Sequence, residues 1–436
     1  MIYRNQDFFF YFKISFYFYN LNFQEKNKMK NKKTTFTAYN KLFKEEVIPQ
    51  EKILSTEPRK KKLTIGIPTE TNKFENRIGL VPQSVELLTY HGHEIIIQRG
   101  AGKNANFSDT DYSEVGATIV DDKETIYKSD IILKIAPPSP DEINLISRGK
   151  TLLSTFHAQI QSKETLQLLK QKKLSAIGFE YIQDDDNTYP FVSSMSEIAG
   201  NASILIAAEY LSSEQKGMGK LLGGITGVNP AEVIIIGAGT VAEQAARAAI
   251  GLGAMVKIFD DSIYKLRKIR NRIGDNLYTS VLQPIVLANA LRTADVVIAA
   301  KWLNEGKQQV CISEELVKQM KKGSVIIDVS IDKGGCVETS KLTTHGKPTF
   351  TKHGVIHYGV PNIASRFART ASYALSNLLE KMIIDISQSG NLDAVIRENT
   401  SIRNGLYFYN GILTKESISN LFDVPYKDID LLLYAY

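Results

Sequence analysis

The sequence predicts an α/β fold of two domains, each a parallel, doubly wound sheet, and three observations carry that prediction. Residues 233–260, VIIIGAGTVAEQAARAAIGLGAMVKIFD, read in register as strand, glycine turn, alanine-rich helix and second strand. Short apolar runs recur on both sides of it, at 63–68 (LTIGIP), 130–138 (DIILKIAPP), 294–300 (ADVVIAA) and 324–332 (SVIIDVSID), alternating with helical stretches. Two long apolar helices, over 193–213 and 370–384, bracket the central stretch, so the chain leaves one domain, builds a second and returns to the first. The expected layout is two Rossmann-like units: residues 63–192 with 366–436 as a discontinuous substrate domain, and 193–365 as the nucleotide domain with its connecting helix.

Composition agrees. A chain of 436 residues with 43% hydrophobic and 23% charged content can bury two sizeable cores. The net charge of +6 owes much to lysines clustered at 26–33 and to the basic run at 59–62. No stretch of the body interleaves basic with aromatic residues, which argues against nucleic-acid binding. Two cysteines, Cys311 and Cys336, exclude a disulfide scaffold and a multi-cysteine metal site, and they fit a reducing cytoplasm. Residues 2–23 are dense in Phe, Tyr and Asn, but Arg4, Asp7 and Lys13 leave the apolar run too short to cross a bilayer. The segment also lacks a small-residue cleavage site. Met29 is therefore the expected start of translation, and 30–62 the expected course of a loose polar extension.

From residue 63 the elements follow in order. The run 63–68 is a short buried strand, and the helix over 82–90 starts at Pro82 and stops at Gly92. Arg77 lies in the loop between them, beyond the carboxyl end of a strand, where open α/β sheets carry ligands; the plainer alternative is a solvated arginine. Lys134 is expected inside an apolar strand, near its end. A buried ammonium needs an anion, and a substrate carboxylate is favoured over a structural salt bridge. His157 ends the strand over 151–161 and is an acid/base candidate, with a satisfied core histidine as the competing reading. His91 and His93 flank a turn glycine, and His345, His353 and His357 have no carboxylate at metal-ligand spacing, so no metal site is expected. Asp184 to Asp186 reads as a solvated turn. The serines at 193–196 with Glu197 resemble an N-cap before the long helix, and 217–227 is glycine-rich and irregular.

In the central unit Gly237 makes the turn, Gly239 lets a pyrophosphate approach the backbone, and Ala242 lets the helix pack closely. With Thr240 and Val241 at the helix N-terminus these residues form a dinucleotide cradle. Asp260 ends the second strand, where a carboxylate accepts ribose hydroxyls and repels a 2′-phosphate, favouring NAD over NADP. Lys265 opens a basic helix close enough to reach that ribose. Asp332 is expected at a strand terminus, where the nicotinamide should lie; the alternative is a turn aspartate before two glycines. A last strand leads into a loop bearing Asn362.

Several motifs together, ENRIGLVPQSVELL, DIILKIAPP, MSEIAG, LLGGITGV, GAGTVA and SIDKGGC with YGVPN, make the chain from Leu63 onward resemble alanine dehydrogenase, within the superfamily that includes the α-subunit of proton-translocating transhydrogenase. The resemblance implies reversible oxidative deamination of L-alanine to pyruvate and ammonia, with NAD as hydride acceptor. It places the substrate carboxylate on Arg77 and Lys134, makes His157 and Asp332 the acid/base groups, and assigns NAD contacts to Ser196, Asp260, Lys265, Val329, Ser330, Ile331 and Asn362. It also implies a cytoplasmic homohexamer with no membrane or nucleic-acid partner. The segment FHAQIQS keeps the histidine without the apolar residues the resemblance leads one to expect beside it, and Lys301 with Trp302 is unusual. A transhydrogenase component and a saccharopine-type enzyme on a larger amino acid remain alternatives, followed by an NAD-sensing module.

Overall fold

The computed structural model describes residues 61–157, 161–301 and 310–434. Met29, the aromatic run before it and Trp302 lie outside the described residues. The chain opens with six parallel strands, β1 Thr64–Ile67, β2 Glu94–Gln98, β3 Thr118–Val120, β4 Ile131–Leu133, β5 Thr151–Ser154 and β6 Ser175–Gly178. Seven more build a second sheet: β7 Glu232–Ile236, β8 Met255–Phe259, β9 Tyr278–Ser280, β10 Val296–Ala299, β11 Val325–Asp328, β12 Thr349–Lys352 and β13 Val355–Tyr358. The chain then returns, and β14 Leu406–Tyr409 with β15 Ile412–Leu413 joins the edge of the first sheet.

The first sheet runs β15-β14-β6-β5-β4-β1-β2-β3 and the second β12-β13-β11-β10-β7-β8-β9. Stripped of edge strands, both show the same doubly wound order, reversing direction of build at β1/β4 and at β7/β10. The edges depart from the purely parallel expectation: β14, β15 and β12 pair antiparallel. Short reversals explain two of these pairings, since β14 to β15 and β12 to β13 are tight hairpins, and only antiparallel strands can be joined so briefly; β14 reaches β6 by the long return of the chain. The central strand β7 is Val233, Ile234, Ile235 and Ile236 after its first residue, all at 0% exposure, covered by helices on both faces; burying each such side chain is worth about 1.5–3 kcal/mol.

Two long helices connect the sheets. The first, Pro190–Tyr210, begins earlier than the serine pattern predicts: Pro190 takes the first helical position and Tyr189 caps it, while Ser194 lies inside and donates back to the Pro190 carbonyl at 2.9 Å. Its Phe191 belongs to the core of the first sheet, whereas Ala199, Ala202, Ile204, Ile206, Ala207 and Tyr210 belong to the core of the second. At Gly200 it crosses the helix Thr240–Gly251 so closely that a Cβ would lie 2.4 Å from the Val241 carbonyl oxygen. It is long and apolar enough to pass as a membrane span by composition, but here its apolar residues fill two cores. The second helix, Ala368–Gln388, packs on the first sheet through Leu375, Leu379, Met382, Ile383 and Ile386.

Candidate functional site

At the carboxyl end of β7 the chain turns through Gly237, whose φ of +108° and whose approach to the Ala300 carbonyl, 2.6 Å from where a Cβ would stand, exclude any side chain. At Gly239, by contrast, no described atom lies within 4 Å of that point, which is the clearance a pyrophosphate needs. Gly239 is also the N-cap of Thr240–Gly251, and among the described residues no side chain caps that helix, so its first N–H groups face outward. Ala242 is fully buried under the neighbouring helix. Asp260, directly after β8, reaches back across the turn: Oδ2 accepts from Ala238 N at 2.9 Å and Oδ1 from Ser262 N at 2.8 Å. These features fit a dinucleotide with its ribose at Asp260. Lys265 is exposed in the first turn of the next helix.

Arg77 and Lys134 lie at the corresponding end of the first sheet, each on an internal carboxylate. The Arg77 guanidinium forks onto Glu75, Nε to Oε1 at 2.7 Å and Nη2 to Oε2 at 2.5 Å, and turns Nη1 onto the thioether sulfur of Met195 at 3.2 Å. Although burial opposes it, the adjacent Arg77 charge holds the Glu75 carboxyl below its usual range. Asn362 arrives from the other end of the chain and donates Nδ2 to Glu75 Oε2 at 2.9 Å. The loop carrying these groups is irregular, and serines of the 363–388 region fix it. Ser365, Ser372 and Ser376 accept the backbone N–H groups of Asn76, Ile78 and Val81 at 2.8, 2.9 and 3.0 Å.

Lys134 corrects one expectation, its place in the strand. It follows β4 rather than lying within it, its side chain is 0% exposed, and Nζ sits 3.0 Å from Glu70 and 2.9 Å from Glu142. Glu70 also takes the Ile135 N–H at 2.6 Å, and Glu142 takes the Tyr127 hydroxyl at 2.9 Å while closing the capping box with Ser139. The ammonium is thus the counter-ion of two carboxylates of the chain itself. Burial pushes the Glu70 carboxyl up, and the Lys134 charge holds Glu142 down against its own burial.

His157 is not on a strand either. β5 ends at Ser154, and His157 stands exposed three residues later with φ +33°, its N–H and that of Phe156 both received by Glu180 Oε1 at 2.8 and 2.7 Å. Asp332 lies four residues beyond β11, in the one-turn helix Ile331–Lys333. It is solvent-accessible yet walled by protein. That partial enclosure pushes its carboxyl above the usual range, with the charges of Lys333 and His157 opposing. The structure therefore brings His157 and Asp332 within electrostatic reach of each other from two different sheets. In the turn before Asp332, Val329 donates its N–H to Ala299, Ser330 turns its hydroxyl onto buried Asp328 at 2.8 Å, and Ile331 is buried. Ser196 follows Met195, the sulfur contact of Arg77, on the connecting helix.

Sequence reading missed Glu70, Glu75, Glu142 and Glu180, and it passed over His345, whose ring lies 6.0 Å from that of Phe74 and feels both Arg366 and Glu75. Glu75 was legible as the acid two places before a loop arginine, and Glu142 as the last residue of an S-P-D-E capping box. Nothing local marks Glu70 or Glu180.

Known proteins share this architecture. Residues 66–199 match the family model for the alanine dehydrogenase/PNT N-terminal domain, and residues 203–416 that for its C-terminal domain. An alanine dehydrogenase of Methanococcus maripaludis is 38% identical over 366 residues, 84% of this chain and 98% of its own. One from Bacillus subtilis is 37% identical over 366 residues, covering 84% of this chain and 96% of its own. A solved L-alanine dehydrogenase superposes with a TM-score of 0.79 at 33% identity, over 83% of this chain and 99% of that one. With both domain models matched in order across the described sheets, the chain belongs to the alanine dehydrogenase/PNT family.

Proposed function

We propose that this protein is an alanine dehydrogenase, a nicotinamide-dependent amino-acid oxidoreductase that interconverts L-alanine with pyruvate and ammonia, and that its cofactor is NAD. The observation that carries the reading is that His157, in the loop after β5, and Asp332, in the one-turn helix after β11, come within electrostatic reach of each other. Asp260 favours NAD because its carboxylate would repel a 2′-phosphate. When bound, the nicotinamide supplies the hydride acceptor.

The chain's own residues do the rest. Arg77 receives the substrate carboxylate on Nη1, whose present acceptor is a weak thioether sulfur, while Glu75 keeps the guanidinium from turning away. Lys134 stays beneath, holding Glu70 and Glu142 in place. The α-amino group must lose a proton before hydride leaves the α-carbon; water then adds to the imine, and the carbinolamine hydroxyl is deprotonated as ammonia departs. His157 takes the first proton and passes it on. Asp332, with its raised carboxyl, takes the proton of the attacking water. The first sheet with its returning strands thus serves the substrate and the second the dinucleotide, in a cleft whose closure excludes water. The same reading carries a cytoplasmic homohexamer that needs no metal, nucleic acid or membrane partner; sedimentation of the purified chain tests the assembly.

The experiment is NADH formation from L-alanine and NAD across a panel of amino acids, with His157→Ala and Arg77→Lys beside the parent. Turnover selective for alanine, abolished by His157→Ala and shifted to higher KM by Arg77→Lys, is expected. Dinucleotide binding without oxidation of any amino acid would overturn the reading.

A further inference from the structure

The chain has two cysteines, and the fold sets them side by side. After β10 and after β11 the chain forms a short parallel bridge in which Ile312 pairs with Val337. The carbonyl of Cys336 accepts the N–H groups of Cys311 and Ile312 at 2.8 and 3.1 Å, and Glu338 N returns to Ile312 O at 3.0 Å. Cys311 and Cys336 each precede a bridged residue by one place. Neighbours in a parallel register project to the same face, at the strand spacing of about 5 Å, inside the roughly 4.4–6.8 Å between α-carbons that a disulfide spans. The pair sits at the rim of a packed cluster that includes Ile312, Val317, Ile326 and Val337, with Cys336 buried and Cys311 half-buried. Beside Cys311 stands the Lys301 ammonium, itself paired with Asp261.

We propose that Cys311 and Cys336 form a redox-active dithiol that hydroperoxides oxidise to an intrachain disulfide, with Cys311 attacking and Cys336 resolving. The roles follow from the surroundings. A hydrogen bond from the Cys336 thiol, aided by the Lys301 charge, holds the Cys311 thiol below its usual range, whereas Cys336 is pushed up by its bond to Cys311 and by burial. The Cys311 thiolate attacks one peroxide oxygen, the O–O bond breaks, hydroxide leaves, and Cys311 becomes a sulfenic acid. The Cys336 sulfur then displaces the sulfenic hydroxyl, which departs as water with the Cys336 proton. Two thiols lose two electrons and two protons, and hydrogen peroxide becomes two waters. Because the resolving thiol is already in place, closure outruns further oxidation of Cys311 to sulfinic acid.

The test treats the reduced full-length protein with one equivalent of hydrogen peroxide, then counts thiols in denaturant and weighs the intact chain. Expected are a fall from two thiols to none, a mass about 2 Da lower, no adduct with the sulfenic-acid reagent dimedone, and recovery with dithiothreitol. Cys336→Ser should instead trap dimedone at Cys311 and gain sulfinic acid, while Cys311→Ser should leave Cys336 reduced. Two persisting thiols in the parent, or a parent that takes up dimedone as Cys336→Ser does, would overturn the proposal. The parent measurement stands even if a variant fails to fold.

Discussion

The two sheets wind in the same order, yet their carboxyl ends are built in opposite ways. After β7 the chain turns at once through Gly237 and leaves a clearing at Gly239 under bare helical N–H groups. After β1 it wanders from residue 68 to residue 81 and packs that end with Glu70, Glu75 and Arg77, closed from β4 by Lys134. One end offers bare backbone N–H groups and empty space, the other side-chain charges that hold one another. A shared topology therefore fixes where a ligand can sit, while the loops decide what kind of ligand it is. The backbone end needs only small residues; the side-chain end needs every charge satisfied.

Breaking the charged end should give the largest effect. Lys134→Met leaves Glu70 and Glu142 buried without a counter-ion, and the denaturant midpoint should fall by the equivalent of about 3–5 kcal/mol, with part recovered on adding Glu142→Gln. An unchanged midpoint with lost activity would make Lys134 a substrate ligand instead. Breaking the backbone end comes next. Gly237→Ala should cost about 1–3 kcal/mol of strain and weaken NADH binding by about tenfold, measured by fluorescence titration, while amide exchange in β1 to β5 stays as it was. Ser372→Ala, which orphans the Ile78 N–H, should cost about 1–3 kcal/mol and raise the KM for the amino acid more than that for the dinucleotide.

The substitution with the smallest effect on stability is the most diagnostic of the proposed proton transfer. Since the Asp332 carboxyl lies above its usual range, it keeps its proton to higher pH, and as a proton acceptor it works only once ionised. Deamination should therefore fall off on the acid side at a pH above the ordinary carboxylate range, and Asp332→Asn should remove that limb from the profile. The sign for stability is opposite. A raised carboxyl favours the folded state while protonated and loses that advantage as pH rises through its folded value, so Asp332→Asn should leave the protein no less stable at neutral pH.

The backbone end was legible in the sequence, because a glycine turn between a buried strand and an alanine-rich helix is a local pattern with few other meanings. Its boundaries fell within a residue or two, as did the helix Pro82–Tyr90. The charged end was legible only as isolated residues. Lys134 was correctly expected to need an anion, but its anions come from positions 70 and 142, whose approach depends on how β1, β4 and the helix Pro140–Leu145 pack. The serines that hold the Arg77 loop lie about 290 positions away along the chain, beyond any local spacing rule. The extra antiparallel strand β14 was invisible for the same reason: its partner in the sheet is β6, far upstream.

The path of the chain also dictates an order of assembly. All seven strands of the second sheet come from one uninterrupted stretch, residues 232–358, whereas the first sheet waits for β14, β15 and the helix Ala368–Gln388 at the far end. As the chain emerges during synthesis, the inserted unit can close while the earlier strands stand without their returning cover, and the apolar helix Pro190–Tyr210 can settle only its later half. Pulse-labelled hydrogen exchange should find the amides of β7 and β10 protected before those of β4 and β5. The insertion thereby also makes the charged end of the first sheet the last part of the molecule to be finished.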